Sequence, residues 1–249
     1  TLAPDLTLED SGELAVGSFY AGVPHPPGYP VWTIYTWLFT LIPIANVAWR
    51  VALSSAVAGA LACGLLALMV SRGSSLMLES IADFKGIERR WESALCVISG
   101  FVAGMLLGFN GFMWSQAVIV EVYTLSVLSL MGVLCCLFRW IYAPDQRRYL
   151  YWAMFWFGIC VTNHQTLIVA AMGIEVAVLV AQPKLGRDMF IGNSILYVVG
   201  LMLKAGGILT AFDTNPPLFI IYNLVGLGSI AAAVVSTFKT GRVLTEWKT

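Results

Sequence analysis

Four carboxylates and a histidine gather early in the chain, in DLTLEDSGELAVGSFYAGVPHPPGYP (residues 5–30). They are Asp5, Glu9, Asp10, Glu13 and His25, and the stretch contains no Lys or Arg. Asp10 and Glu13 stand three residues apart, so a helix opening there puts both on one face. A carboxylate at a membrane surface could deprotonate an acceptor hydroxyl or help hold a divalent cation. The same spacing also fits a helix start, with Asp10 or Ser11 as N-cap and Glu13 completing a capping box. His25 lies in Pro24-His25-Pro26-Pro27-Gly28-Tyr29-Pro30, where the prolines and the glycine fix the backbone and with it the imidazole. A plain surface turn would account for the same prolines.

Other ionisable groups sit against apolar sequence. Glu121 follows Trp114-Ser115-Gln116 and opens an apolar run, and His164 lies in the polar island Thr162-Asn163-His164-Gln165-Thr166. An ionisable group at membrane depth is a candidate for function, while a hydrogen-bonded loop turn is the plainer account of His164. Glu175 and Lys204 are expected to neutralise each other across two helices. Cys63, Cys96, Cys135, Cys136 and Cys160 all lie in apolar runs and read as small buried hydrophobes. Zinc, phosphate-loop and Ser-His-Asp patterns are absent, and the basic residues form no nucleic-acid patch.

The elements that must position these groups are membrane helices. The 249 residues are 59% hydrophobic and 11% charged, with mean hydropathy +0.81; a soluble domain carries roughly 25% charged residues. Long apolar runs argue for an all-α integral membrane protein and against a barrel. They fall at 31–45, 51–71, 93–113, 117–138, 149–162, 165–181, 189–209 and 218–238. The first is too short to span and is aromatic. Trp32, Tyr35, Trp37 and Phe39 suit a helix lying in the interface. Seven spans and one surface helix follow. With the acidic stretch outside, this alternation puts all the basic residues inside except Arg50 and Lys204, as the positive-inside rule favours. Residues 71–92 are expected to form a short amphipathic cytoplasmic helix. Trp140, Trp152 and Trp156 suit lateral contacts with proteins, lipids or pigments, and equally the aromatic belts of an ordinary membrane protein.

Several motifs, in order, resemble one family. They are Asp10-Ser11-Gly12-Glu13, Gly22-Val23-Pro24-His25-Pro26-Pro27-Gly28-Tyr29-Pro30, Trp49-Arg50-Val51 with Ser54-Ser55-Ala56, Trp114-Ser115-Gln116 with Glu121-Val122-Tyr123, and Thr162-Asn163-His164. Together they resemble the membrane module of the protein O-mannosyltransferase-like family, which has a vertebrate transmembrane O-mannosyltransferase as a member. The resemblance covers about residues 1–180, and the last 70 or so carry no recognised motif.

The resemblance implies a GT-C glycosyltransferase fold. It implies transfer of a mannose-like sugar from a polyprenyl-phosphate donor to a hydroxyl acceptor, on a protein or a glycan, at the non-cytoplasmic face. Asp10 becomes the candidate base, with Glu13 in support. His25, Arg50 and His164 become candidates to bind the lipid phosphate, and Glu121 to orient acceptor or sugar hydroxyls. The organisation expected is an outer loop with the acidic motif and interfacial helix at 1–50, a transmembrane core at 51–181, and further helices at 182–249. The chain begins at Thr1 without a leader, and the family's first span is expected to precede it. A fragment, or a core reduced to a structural subunit of a larger membrane complex, is the alternative to an active enzyme.

Overall fold

The computed structural model describes residues 1–7, 10–26, 28–81, 84 and 86–241. Helices dominate, and the described residues contain no strand. The chain divides into two compact units, Thr1–Ile168 and Val169–Thr249. The first holds α1 (Ser11–Tyr20), α2 (Pro30–Thr40), α3 (Val47–Ser80), α4 (Arg89–Gly108), α5 (Gly111–Ala117), α6 (Tyr123–Tyr142) and α7 (Arg148–Asn163). A 3₁₀ turn, Gln165–Val169, follows. The second unit holds α8 (Ala170–Ala181), α9 (Pro183–Ala205), α10 (Ala211–Thr214) and α11 (Pro216–Thr240).

Five helices are long and apolar enough to cross a membrane: α3, α4, α6, α9 and α11. The chain is therefore an all-α integral membrane protein. Two of the seven expected spans are shorter. α7 has 16 residues, a rise of about 24 Å against a hydrocarbon core of about 30 Å, and the other apolar helix covers Thr166–Ala181. α2, with 11 residues, is shorter still, in keeping with a helix that does not span.

Two boundaries differ from expectation. The sequence after Ser71 is not a separate amphipathic helix, because α3 runs on to Ser80 and α4 starts at Arg89. The expected runs 93–113 and 117–138 are also re-divided. Asn110 caps a short α5 by accepting from the backbone N–H groups of Phe112 and Met113 (3.0 and 3.3 Å), and α6 begins only at Tyr123. Between them, residues 118–122 run without regular structure.

Small residues let the helices of the first unit approach. Along one face of α4, Gly100, Gly104 and Gly108 repeat every four residues. A Cβ at Gly104 would lie 3.0 Å from the Cys63 carbonyl oxygen of α3, and one at Gly100 would run into the carbonyl oxygen of Ala67. Gly132 of α6 likewise gives room to the Trp156 ring of α7. The core gathers Leu14, Trp32, Val51, Ala58, Val120 and Leu125. Trp32 and Trp140 are fully buried, so neither serves as an interface or lateral-contact aromatic, and Trp156 packs on α6. Of the three tryptophans read as lateral contacts, Trp152 is the one that is exposed.

In the second unit, Tyr222 packs against Gly200, and Tyr197 against Gly226, which joins α9 to α11. Tyr197 also donates to Asn223 Oδ1 (2.8 Å). The expected Glu175–Lys204 pair does not form. Glu175 accepts from Asn193 Nδ2 (2.7 Å) and Lys204 donates to Asp213 Oδ1 (2.6 Å). Glu175 takes its partner from the facing helix α9, and Lys204 takes its own from across the connection to α10.

Candidate active site

Asp10 ends up at the N-cap of α1, but its side chain makes no capping bond. Its backbone carbonyl accepts from Leu14 (2.9 Å). Ser11 Oγ turns back to Thr7, donating to its carbonyl (2.7 Å) and accepting from its N–H (3.1 Å). The capping box is therefore not formed, and Glu13 reaches the other way. Its Oε1 accepts from the His25 backbone N–H (2.6 Å), and its Oε2 lies 3.1 Å from His25 Nδ1.

The chain returns to Glu13 because of its backbone. Ala21 adopts the left-handed conformation (φ 50°) and closes α1 with the Gly22 N–H on Gly17 O (2.8 Å). Gly28 has φ 87°, where a side chain would be strained and a Cβ would also meet Val23 Cγ1 at 3.0 Å. Tyr29 follows at φ 41°, an uncommon conformation for an aromatic residue. Pro30 then starts α2. This path puts His25 Nε2 at 3.3 Å from the Tyr29 hydroxyl and 3.9 Å from Asp10 Oδ2. Ligand-type atoms of Asp10, Glu13 and His25 all lie within 4.8 Å of one another.

Charge follows the same geometry. The His25 backbone N–H, and after it the imidazole, hold the Glu13 carboxyl below its ordinary 4.5. Desolvation, and then Tyr123, Glu121, Asp10 and Glu13, push the Tyr29 phenol up. Tyr29 thus feels both the α1 acids and the acid at the start of α6.

α2 is what ties that second acid to the first group. Trp32 Nε1 donates to the Glu121 carbonyl (3.1 Å), and Ser55 Oγ of α3 donates to the same oxygen (3.2 Å). Glu121 is buried, and its Oε2 accepts from the Val122 N–H (3.0 Å). A buried carbonyl outside regular structure needs donors from elsewhere, and Trp32 and Ser55 supply them. Ser18 of α1 bonds Thr36 of α2 (2.8 Å), and the Tyr35 hydroxyl donates to Ser54 O of α3 (2.9 Å). α2 is therefore clamped on both sides.

Asp10, Glu13 and His25 are thus brought together, and Glu121 is not among them, although the Tyr29 phenol feels its charge. His164 ends α7, with its Nδ1 2.6 Å from Thr166 Oγ1 and its ring 5.3 Å from that of Tyr123. Arg50 binds backbone carbonyls: Nη1 donates to Thr40 O and Ile42 O (3.0 Å), and Nε to Asn46 O (3.3 Å). It holds the end of α2 to the start of α3. Glu9 and Pro27 lie outside the described residues. Sequence reasoning passed over Tyr29, Trp32 and Asn163. Asn163 is fully buried with neither amide atom hydrogen-bonded among the described residues. Tyr29 carried one signal, its position four residues after His25 in a turn stiffened by prolines.

A shallow apolar recess of about 320 Å³ borders α1, lined by Gly12, Val16, Phe19, Tyr20 and Val47 among others; it contains none of Asp10, Glu13 or His25.

Residues 10–186, more than half of the chain, match the family model described as Protein O-mannosyl-transferase TMEM260 N-terminal domain. The chain belongs to this family. Among relatives, the Protein O-mannosyl-transferase TMEM260 of Mus musculus is 34% identical over 118 residues, covering 44% of this chain and 17% of the relative. The Protein O-mannosyl-transferase tmem260 of Dictyostelium discoideum is 24% identical over 184 residues, covering 68% of this chain and 20% of the relative. The chain thus spans about a fifth of the length of the curated relatives it matches. No solved structure matches it. The matched region begins at Asp10 and contains every residue of the site just described: Asp10, Glu13, His25, Tyr29, Arg50, Glu121 and His164.

Proposed function

We propose that this member of the O-mannosyl-transferase family carries the transfer site of a membrane glycosyltransferase. The sugar is mannose-like, its donor is a polyprenyl-phospho-sugar, and the acceptor is a hydroxyl on a protein or glycan. The observation that carries the reading is the convergence of Asp10, Glu13 and His25 at the N-terminus of α1.

The step is an inverting displacement. The acceptor oxygen forms a bond to the anomeric carbon as the bond from that carbon to the phosphate oxygen breaks. The electron pair leaves with polyprenyl phosphate, and the acceptor proton passes to Asp10. Asp10 suits this role because its carboxylate is exposed and makes no capping bond; a base must be within hydrogen-bond reach of the proton it takes. Glu13 holds His25. His25 and His164 supply groups that can bear positive charge toward the phosphate, and Arg50 adds its charge nearby while its Nη1 and Nε hold backbone carbonyls. Glu121 orients sugar or acceptor hydroxyls. A divalent cation would add charge neutralisation at the phosphate.

Orientation is part of the proposal. The acidic segment and the α4–α6 and α9–α11 connections face the non-cytoplasmic side, and the basic connections face the cytoplasm. The test is donor turnover by the wild-type chain and by Asp10→Asn. We expect a loss of at least 100-fold in kcat, the usual scale for removing a positioned base. Equal product from both proteins would sink Asp10 as the base. One observation favours a second reading, that of a structural subunit: the Arg50 guanidinium is engaged with backbone carbonyls. Co-purification as a stoichiometric part of a large complex, with no donor turnover, would support it.

A further inference from the structure

His25 Nε2 has two neighbours of different kinds, the Tyr29 hydroxyl at 3.3 Å and Asp10 Oδ2 at 3.9 Å. Only the shorter distance is within hydrogen-bond range. Nδ1, at the other side of the ring, faces the Glu13 carboxylate, which can only accept, so Nδ1 carries a proton. The imidazole is therefore pinned at one nitrogen and contested at the other. We propose that Tyr29 is a positioning residue that holds His25 Nε2 away from Asp10 and so keeps the Asp10 carboxylate free to accept a proton. This rests on the reading of Asp10 as the base.

Three features make Tyr29 suited to the task. A hydroxyl can donate to a bare ring nitrogen or accept from a protonated one, whereas a carboxylate can only accept. Tyr29 therefore holds Nε2 in either protonation state. Its ring meets that of His25 edge to face, with centroids 5.5 Å apart and an interplanar angle of 84°, which fixes the imidazole plane as well as its tip. Its backbone is set in the left-handed region between Gly28 and Pro30, a conformation that persists only where the surroundings determine it. α2, which begins at the next residue, is clamped by Ser18, Ser54 and the Glu121 carbonyl. The hydroxyl is thus delivered from a rigid element, and the same element places Glu121.

When both ring nitrogens carry protons and the hydroxyl is gone, the nearest other acceptor to Nε2 among the described residues is Asp10. The ring need move by only about 1 Å to close 3.9 Å to an ordinary hydrogen bond of about 2.9 Å. An Asp10 so bonded is a weaker base, because a hydrogen bond to the charged form favours that form.

The test uses Tyr29→Phe, which keeps the ring and removes one oxygen. In the chain reconstituted in lipid, the distance from His25 Nε2 to Asp10 Cγ is measured by ¹⁵N–¹³C dipolar recoupling, beside turnover of a polyprenyl-phospho-mannose. We expect the distance to shorten in Tyr29→Phe and to stay unchanged in Tyr151→Phe, a control that loses an exposed phenol on α7. We also expect kcat to fall about tenfold, a part of the roughly 10²–10⁴-fold that a positioned base contributes, with the KM for donor unchanged. An unchanged distance in Tyr29→Phe would overturn the proposal. So would a shortened distance with wild-type kcat. If the wild-type chain turns over no donor, the transferase reading fails, and the distance alone decides whether Tyr29 holds His25 from Asp10.

Discussion

Glu13 shows how one side chain can close a loop. It is twelve residues from His25 in sequence, and it takes both the backbone N–H and the imidazole of that residue. Those bonds favour the ionised carboxylate, so the Glu13 pKa lies below its ordinary 4.5. The sign of the pH effect follows from that direction. The unfolded chain binds its proton first as pH falls, so the contribution of Glu13 is complete above the ordinary value. It is lost as pH drops through the depressed one. We expect the His25 amide to be protected from hydrogen exchange at neutral pH and to lose that protection, relative to nearby amides, as pH falls below the ordinary carboxylate range. Exchange at His25 that shows no such step, or a Glu13→Gln protein with the wild-type profile, would contradict this account. The spacing of Asp10 and Glu13 was readable as a capping box or as a functional pair, and the choice between them was not. It depends on where a loop with two left-handed residues, Ala21 and Tyr29, brings His25.

Between elements, close approach of backbones does most of the work. In a membrane the hydrophobic effect does not drive helices together, so packing of small residues does. Gly100, Gly104 and Gly108 of α4 against Cys63 and Ala67 of α3 are such a surface. A side chain at Gly100 would collide with the Ala67 carbonyl, a backbone atom that cannot rotate away. We expect Gly100→Val to lower stability by about 1–3 kcal/mol, measured by reversible unfolding in mixed micelles. Gly64→Ala is the matched control, because nothing lies within 4 Å of a Cβ there. It should be neutral or stabilising by up to about 1 kcal/mol through its helix preference. Equal losses from both would show that helix propensity, and not the α3–α4 approach, sets the effect. The repeat was present in the sequence, but glycines spaced by four mean little until a partner helix is seen facing them. α2 makes the same point for aromatics. Its composition suggested an interface helix, yet Trp32 is 1% exposed and holds the Glu121 carbonyl.

For the molecule as a whole, charge sets the expectation. The acidic start of the chain and the basic helix connections fall on opposite sides of the membrane if the spans alternate. Contacts inside the second unit agree with antiparallel α9 and α11. Arg187, at the start of α9, donates to Thr240 Oγ1 at the end of α11 (3.0 Å), and Lys204 pairs with Asp213 at the opposite ends. We expect a cysteine introduced as Asp5→Cys, with the five native cysteines replaced, to react with a membrane-impermeant maleimide added outside. The Asp145→Cys protein should react only after permeabilisation. Labelling of both from the same side would refute the proposed orientation and, with it, the placement of Asp10 at the non-cytoplasmic face.

The amino-acid sequence by itself determined that this is an all-α membrane protein, that α2 is too short to span, and which family it belongs to. Those properties are additive or local. Hydropathy sums along a run, length counts residues, and motifs are read in order. It also placed Asp5, Glu9, Asp10, Glu13 and His25 in one short segment and picked out Asp10 and Glu13 by their spacing. Tertiary structure alone decided which partner each polar group takes: Glu13 with His25 and not its own helix start, Arg50 with the carbonyls after α2, Glu175 with Asn193 and not Lys204. It also put the Tyr29 hydroxyl against His25 Nε2. Such choices turn on differences of about 1 Å between competing neighbours, and hydrogen bonds weaken steeply over that range, so only the packed positions of the helices can settle them.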